Sequence, residues 1–333
     1  MTHLHSKTPL IPSQDLANHL KVKQVYLKLD FLQPSGSFKI RGIGNQIQKA
    51  LKAQPQLSTV VSSSGGNAGL AAAYAASRLG LACRVFVPVT TPAATIALLE
   101  TLGATVTVSG SVWDETHLEA VRFLDALPLD SGLYVHPFEH PDLWEGHATI
   151  INEILADLDP LDVQPDVILC SVGGGGLITG ILDGLIASSN KQKLPKVIGV
   201  ETTGADSFAT ALRHGSPVEL EAITSFAKSL GAKKISAAVL DRIHRYGGGA
   251  EDNLVRSLTV SDRQALDTLV AFADKFKVLV EPACAASLAP VFIDGLLETV
   301  YPELNSETVV VVEVCGGSSV SLEAIETWKR TIY

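Results

Sequence analysis

Residues 58–80 read Ser58-Thr59-Val60-Val61-Ser62-Ser63-Ser64-Gly65-Gly66-Asn67-Ala68-Gly69-Leu70-Ala71-Ala72-Ala73-Tyr74-Ala75-Ala76-Ser77-Arg78-Leu79-Gly80. The β-branched run at 58–62 predicts a short strand, and the serines and glycines of 63–69 a tight turn. The alanine-rich stretch from Leu70, stopped by Gly80, predicts a helix. A strand, a small-residue turn and a helix in succession aim backbone N–H groups at an anion.

The unit recurs on both sides of this stretch. Cys83–Pro88 reads as a strand with a helix after Thr91-Pro92, and Thr105–Val108 as a strand with a helix after Asp114. Val167–Ser171 is an apolar strand that ends in Val172-Gly173-Gly174-Gly175-Gly176, with a helix from Leu177. Lys196–Val200 ends at Glu201, and Thr308–Val314 ends at Cys315-Gly316-Gly317. Upstream, Gln24–Asp30 alternates apolar and polar residues as a half-buried strand does, and 44–52 reads as a helix. Repeated strand–helix alternation predicts an α/β protein of doubly wound, mostly parallel open sheets. Ligands of such sheets gather at the carboxyl ends of strands, where Asn67, the four glycines, Glu201 and Cys315 all fall. Tyr134–Pro141, with its prolines and no period, is the best candidate for a crossing between domains.

Composition narrows the function classes. The 333 residues are 46% hydrophobic and 18% charged, enough apolar content for a large core and no sign of disorder. Lys+Arg 26 against Asp+Glu 35 gives a net charge of −9, and no basic run is present, which argues against nucleic acid or an anionic membrane as partner. No apolar run reaches the ~18 residues of a membrane span, and the N-terminus lacks a signal-peptide core. A cytoplasmic location is the resulting expectation. Cys83, Cys170, Cys284 and Cys315 lie far apart without the paired spacings of a zinc site, and are read as reduced thiols. His136 and His140 are four apart, but Pro137 and Pro141 break any shared helical face, which disfavours a metal there.

Lys39 stands in Pro34-Ser35-Gly36-Ser37-Phe38-Lys39-Ile40-Arg41-Gly42. Apolar neighbours and flanking glycines make its ammonium a candidate for desolvation, which lowers a lysine's pKa and frees its amine for imine formation with an aldehyde. An ordinary surface lysine beside a turn is the competing reading. The glycines at 173–176 leave backbone open to a phosphate, but fit neither a Walker loop nor the dinucleotide G-x-G-x-x-G pattern; a plain flexible turn is the alternative.

Ser35-Gly36-Ser37-Phe38-Lys39, Ser64-Gly65-Gly66-Asn67-Ala68-Gly69, Gly173-Gly174-Gly175-Gly176-Leu177, Glu281-Pro282-Ala283-Cys284 and Cys315-Gly316-Gly317-Ser318 occur in this order along nearly the whole chain. Together they resemble the fold-type II pyridoxal-phosphate enzymes, and most closely the L-serine dehydratase/L-threonine deaminase branch. The resemblance implies a tryptophan synthase β-like fold, with a large cofactor-binding domain of residues 1–42 and 136–333 and a small substrate-loop domain of residues 43–135. It implies pyridoxal 5'-phosphate as cofactor, a small amino acid as substrate and a homodimer. Lys39 is then the Schiff-base lysine that also removes and returns the Cα proton, Phe38 packs on the ring, and Asn67 bonds its O3′. Gly173, Gly174, Gly175 and Gly176 hold the phosphate, and Ser64, Gly65, Asn67 and Ala68 the substrate. Cys315 faces the pyridine nitrogen, where a mostly neutral thiol cannot hold a proton as a carboxylate does; the weaker electron sink favours β-elimination over transamination. Glu201, with carbonyls of Ala205 and Ser229, matches the branch's potassium-type cation site, a solvated glutamate being the alternative.

The implied reaction converts L-serine or L-threonine to pyruvate or 2-oxobutanoate plus ammonia. A serine racemase or a β-replacement synthase of the same fold is the rival. Gly66-Asn67-Ala68 departs from the Gly-Asn-His of threonine deaminases and racemases, and Trp144-Glu145-Gly146-His147 fits the serine dehydratase branch. Gly65 stands where close serine dehydratases often carry alanine, which implies a looser substrate loop. The chain is expected to lack the C-terminal regulatory domain of biosynthetic threonine deaminases. Glu313, inside an apolar strand, demands a buried partner.

Overall fold

The computed structural model describes residues 4–188, 194–247 and 253–333. The chain divides into two compact units, residues 4–6 with Gln33–His147, and Lys7–Leu32 with Ala148–Tyr333. Among the described residues ten strands supply two sheets: β1 Leu10–Pro12, β2 Gln24–Lys28, β3 Thr59–Ser62, β4 Ala82–Val87, β5 Ala104–Val108, β6 Gly132–Tyr134, β7 Val167–Ser171, β8 Lys196–Thr202, β9 Val255–Val260 and β10 Val309–Glu313.

The smaller unit is built on the order β5-β4-β3-β6, parallel throughout. Strand β3 falls where the opening stretch puts it, while the helix Asn67–Leu79 starts three residues before the expected Leu70, so the turn is confined to residues 63–66. Gly80 ends the helix at φ 70, its N–H bonded to the carbonyls of Ala76 and Ser77, a left-handed closure that glycine adopts without steric cost. The helix Lys39–Ala53 begins five residues earlier than the expected 44–52 and buries Ile40, Ile43, Gly44 and Ile47, the spacing of one helical face.

In the larger unit the order is β1-β2-β10-β7-β8-β9, parallel except for the antiparallel β1–β2 pair. Strands β7 and β10 are buried along their whole length, as strands covered by helices on both faces must be. Val310 stands in register with Val25 on one side and Val167 on the other.

The unit boundaries differ from the expected 42/43 and 135/136. Lys39 opens a continuous helix whose apolar face belongs to the smaller unit, so residues 33–42 go with it. Pro141 begins the helix Pro141–Leu158 rather than a linker, a use of proline that its missing N–H permits in a first turn. Residues up to His147 are tied to the smaller unit because a Cβ at Gly146 would lie 2.2 Å from the carbonyl oxygen of Arg41; only glycine permits that approach.

Candidate active site

Lys39 is half-buried, and its Nζ donates to the carbonyl oxygen of Pro137 at 2.5 Å. The amine lies 5.0 Å from the centroid of the Phe38 ring, which rests in turn 5.0 Å from the imidazole of His147. His147 is fully buried with both ring nitrogens unpartnered among the described residues, and burial, followed by the charges of Lys39, Arg41 and His5, holds its pKa well below the ordinary value. Ser35 and Ser37, on the turn that leads to the lysine, also bury hydroxyls without a partner among the described residues.

The substrate-loop residues Ser64, Gly65, Asn67 and Ala68 occupy the turn from β3 into the helix Asn67–Leu79, whose first N–H groups have no carbonyl a turn below them. Ser64 accepts from the Gly66 N–H at 3.3 Å, and a Cβ at Gly69 would come within 1.9 Å of the Ser64 carbonyl oxygen. Behind the loop, Ser63 and Tyr134 share a hydrogen bond of 2.7 Å, and the Tyr134 hydroxyl pairs with Nδ1 of His117 at 2.8 Å. Trp113 stacks on His117 at 5.0 Å.

In the larger unit the strand-to-helix turn at Gly173–Gly176 is mostly buried, and its N–H groups have no partner among the described residues. Buried N–H donors without acceptors at the head of the helix Gly176–Ser188 fit a phosphate. Gly175 has φ +93, and a Cβ there would meet Val239 at 2.3 Å. Cys315 is buried; a hydrogen bond with Cys284, then burial, raises its pKa well above the ordinary thiol value, so it is a neutral thiol. Its Sγ lies 3.8 Å from Oγ of Ser171, which also donates to the carbonyl oxygen of Ala283 at 2.7 Å. A neutral thiol is compatible with an uncharged ring nitrogen.

Of the residues expected at a cation site, Glu201 is buried on β8, its Oε1 accepting from the Phe208 N–H and its Oε2 from the Ala209 N–H, both at 2.8 Å. It closes the first turn of the helix Ser207–His214, and burial pushes its pKa up to about 8. Ala205 is buried, its N–H bonded to the carbonyl of Thr202 at 2.9 Å. Ser229 donates through Oγ to Oε2 of Glu281 at 2.6 Å, and its carbonyl oxygen lies 3.2 Å from where a Cβ on Gly173 would stand. Glu313 is in register with the buried Lys28 on β2, whose amine pairs with Glu153 at 2.6 Å.

Lys39, Phe38 and the loop of Ser64–Ala68 thus fall in the smaller unit, and the glycine turn, Cys315, Glu201, Ala205 and Ser229 in the larger. Sequence reasoning passed over Tyr134, His117 and the side-chain role of Glu281. Tyr134 ends a three-residue strand too short to carry a period, while Glu281, beside Pro282 at a helix start, shows in sequence only as part of a motif.

A family profile described as "Pyridoxal-phosphate dependent enzyme" matches residues 1–316. An L-serine dehydratase of Saccharomyces cerevisiae (strain AWRI1631) is 40% identical over 335 residues, covering 97% of this chain and 96% of the yeast protein. The L-serine dehydratase/L-threonine deaminase of Mus musculus is 41% identical, covering 98% of this chain and 95% of its own. Among solved structures, a fungal L-serine ammonia-lyase from Rhizomucor miehei superposes with a TM-score of 0.89 at 32% identity over 100% of both chains.

Proposed function

The chain belongs to the pyridoxal-phosphate dependent enzymes, and on that premise we propose that it deaminates L-serine and L-threonine by β-elimination, giving pyruvate or 2-oxobutanoate plus ammonia. The substrate class is supported by the 40% and 41% identity to L-serine dehydratases over nearly the whole chain. The structural observation that carries the reading is Lys39, whose half-buried amine rests on the Pro137 carbonyl in the same unit as the N–H-rich turn before the helix Asn67–Leu79. When bound, pyridoxal phosphate supplies an aldehyde for a lysine amine and a ring that withdraws electrons.

The residues then divide the work. In the smaller unit, the substrate-loop unit, Lys39 would hold the cofactor's aldehyde and serve as the base for the Cα proton, Phe38 would pack on the ring, and Asn67 would hydrogen-bond its hydroxyl. Ser64, Gly65, Asn67 and Ala68 bind the substrate, the helix N-terminus favouring its carboxylate. In the larger, cofactor-binding unit, Gly173, Gly174, Gly175 and Gly176 would take the phosphate, and Cys315, a neutral thiol, would be the partner of the ring nitrogen. A neutral thiol at position 315 would not hold a proton on that nitrogen, and the weaker electron withdrawal the group then supplies would suit departure of negative charge with the hydroxyl. A potassium ion beside Glu201 and the carbonyls of Ala205 and Ser229 belongs to the same reading; each Glu201 oxygen holds one N–H, and a cation's charge there would favour the ionised carboxylate that burial disfavours. A homodimer and a cytoplasmic location complete it, the latter in keeping with four free cysteines.

Incubating the purified, cofactor-loaded protein with L-serine and with L-threonine, and following release of 2-oxo acid, tests the reading, with Lys39→Ala as control. Oxo acid from either substrate is expected, and none from the variant. No release from either refutes elimination; D-serine as product, or incorporation of a second nucleophile, points to the racemase or the β-replacement synthase.

A further inference from the structure

We infer that His136 is a substrate-contacting residue whose neutral imidazole donates a hydrogen bond through Nε2–H to the β-hydroxyl of the bound amino acid, and so sets side-chain selectivity. The inference rests on the elimination reading and adds a residue to it.

The tautomer is fixed by the backbone. Nδ1 of His136 accepts from the N–H of Glu139 at 2.9 Å and from that of Phe138 at 3.3 Å, so its lone pair is spent and the ring proton sits on Nε2. No hydrogen bond to Nε2 is present among the described residues. The ring is held by aromatic neighbours: Phe138 edge-on at 4.6 Å, and Trp113 and Tyr134 each at 6.4 Å. A donor so restrained loses little conformational freedom on binding.

Its place in the smaller unit supports the same role. Strands β3 and β6 are parallel neighbours with Val61 opposite Tyr134, so the loop after Ser63 and the loop carrying His136 leave the sheet at the same end. The Tyr134–Ser63 hydrogen bond ties those loops together, and the carbonyl that receives the Lys39 amine belongs to Pro137, the residue after His136. An amine for the Cα proton, N–H groups for a carboxylate and one neutral imidazole N–H are thereby collected around two strand ends. A β-hydroxy amino acid has one further polar group, its hydroxyl. The imidazole positions that group rather than protonating it, because burial, with the charges of Lys39 and His117, brings its pKa down to about 4 and leaves it neutral at pH 7.

Rapid mixing of the cofactor-loaded enzyme with L-serine or with L-alanine, which lacks the hydroxyl, and recording the change in cofactor absorption gives an apparent dissociation constant for each, whether or not elimination follows. His136→Phe is expected to weaken L-serine by about tenfold or more while L-alanine stays within about twofold, and His136→Gln, which keeps an N–H donor, to lose less. KM for L-serine should rise in parallel in steady-state turnover. Equal weakening of both amino acids, or no change for L-serine, overturns the inference; should the phenylalanine variant fail to fold, His136→Gln and His136→Ala are scored by the same serine-to-alanine ratio. Absence of oxo acid from the unmodified enzyme would count against elimination alone, since the ratio is still measured.

Discussion

Gly42 lies against His147 so closely that a Cβ at position 42 would stand 2.6 Å from Cε1 of the imidazole. The same Cβ would lie 2.6 Å from the carbonyl oxygen of Leu143, so the helices Lys39–Ala53 and Pro141–Leu158 meet where no side chain fits. Gly42→Ala should therefore destabilise the protein by about 2 kcal/mol or more, read from denaturant unfolding. His147→Ala should not restore it, because backbone forms half of the obstacle; full recovery in the double variant would show that the imidazole alone sets the contact.

Two glycines of the substrate loop should respond unequally to alanine. At Gly69 a Cβ would come within 1.9 Å of the Ser64 carbonyl oxygen, so Gly69→Ala must displace the turn and should lower both Tm and affinity for amino acids. At Gly65 the nearest atoms are methyl carbons, Cγ1 of Val87 at 3.1 Å and Cγ2 of Thr91 at 3.2 Å, which side chains can relieve. Gly65→Ala should cost less than about 1 kcal/mol. Equal losses in thermal unfolding would refute the distinction.

Acid should weaken the fold through its histidines. His136 is brought down from 6.5 to about 4, and His147 well below 6.5, in both cases first by burial. As pH falls below about 6.5 the unfolded chain takes up protons that the folded chain refuses, so these residues contribute stability near neutral pH that is lost toward pH 4. Tm measured at about pH 7 and about pH 5 should differ less in His136→Phe than in the unmodified protein. An unchanged difference would mean that His136 protonates freely when folded.

The thiols should resist alkylation. Cys83, Cys170, Cys284 and Cys315 are all buried, and burial pushes Cys83 up to about 12 and Cys170 well above its ordinary value, while Cys284's hydrogen bond does the same for Cys315. Iodoacetamide at neutral pH should label the native protein far more slowly than the denatured one. Rapid labelling of Cys315 would contradict the neutral thiol on which the elimination reading relies.

How much could be read before the fold was seen depended on the range over which each residue's role is set. The turn after β3 and the glycines at 173–176 are local devices, made by adjacent residues, and they stand between strand and helix as the pattern put them, although the first helix takes in Asn67, Ala68 and Gly69 from the expected turn. The unit boundaries were misplaced because they depend on tertiary contact: nothing near Gly146 announces that Arg41 lies against it. In sequence His136 shows only its spacing of four from His140, a metal-pair spacing that the prolines break. The role argued for it follows from two backbone N–H groups that fold back onto its own ring. Glu201 was legible as a strand-end carboxylate, but not as the group that closes the next helix.

Strand β10 lies between β2 and β7, yet among the strands of the described residues it is the last to leave the ribosome. Until Val309–Glu313 is made, the β1–β2 pair and the β7–β8–β9 group share no strand, each showing an open edge where β10 will lie. The smaller sheet, β3 to β6, is complete by Tyr134 and can close while more than half of the chain is still unsynthesised. Biosynthesis thus builds the lysine-bearing unit early and joins the sheet of the glycine-turn unit only when β10 emerges, so a message truncated shortly before codon 309 would yield a chain with its first sheet formed and its second split in two.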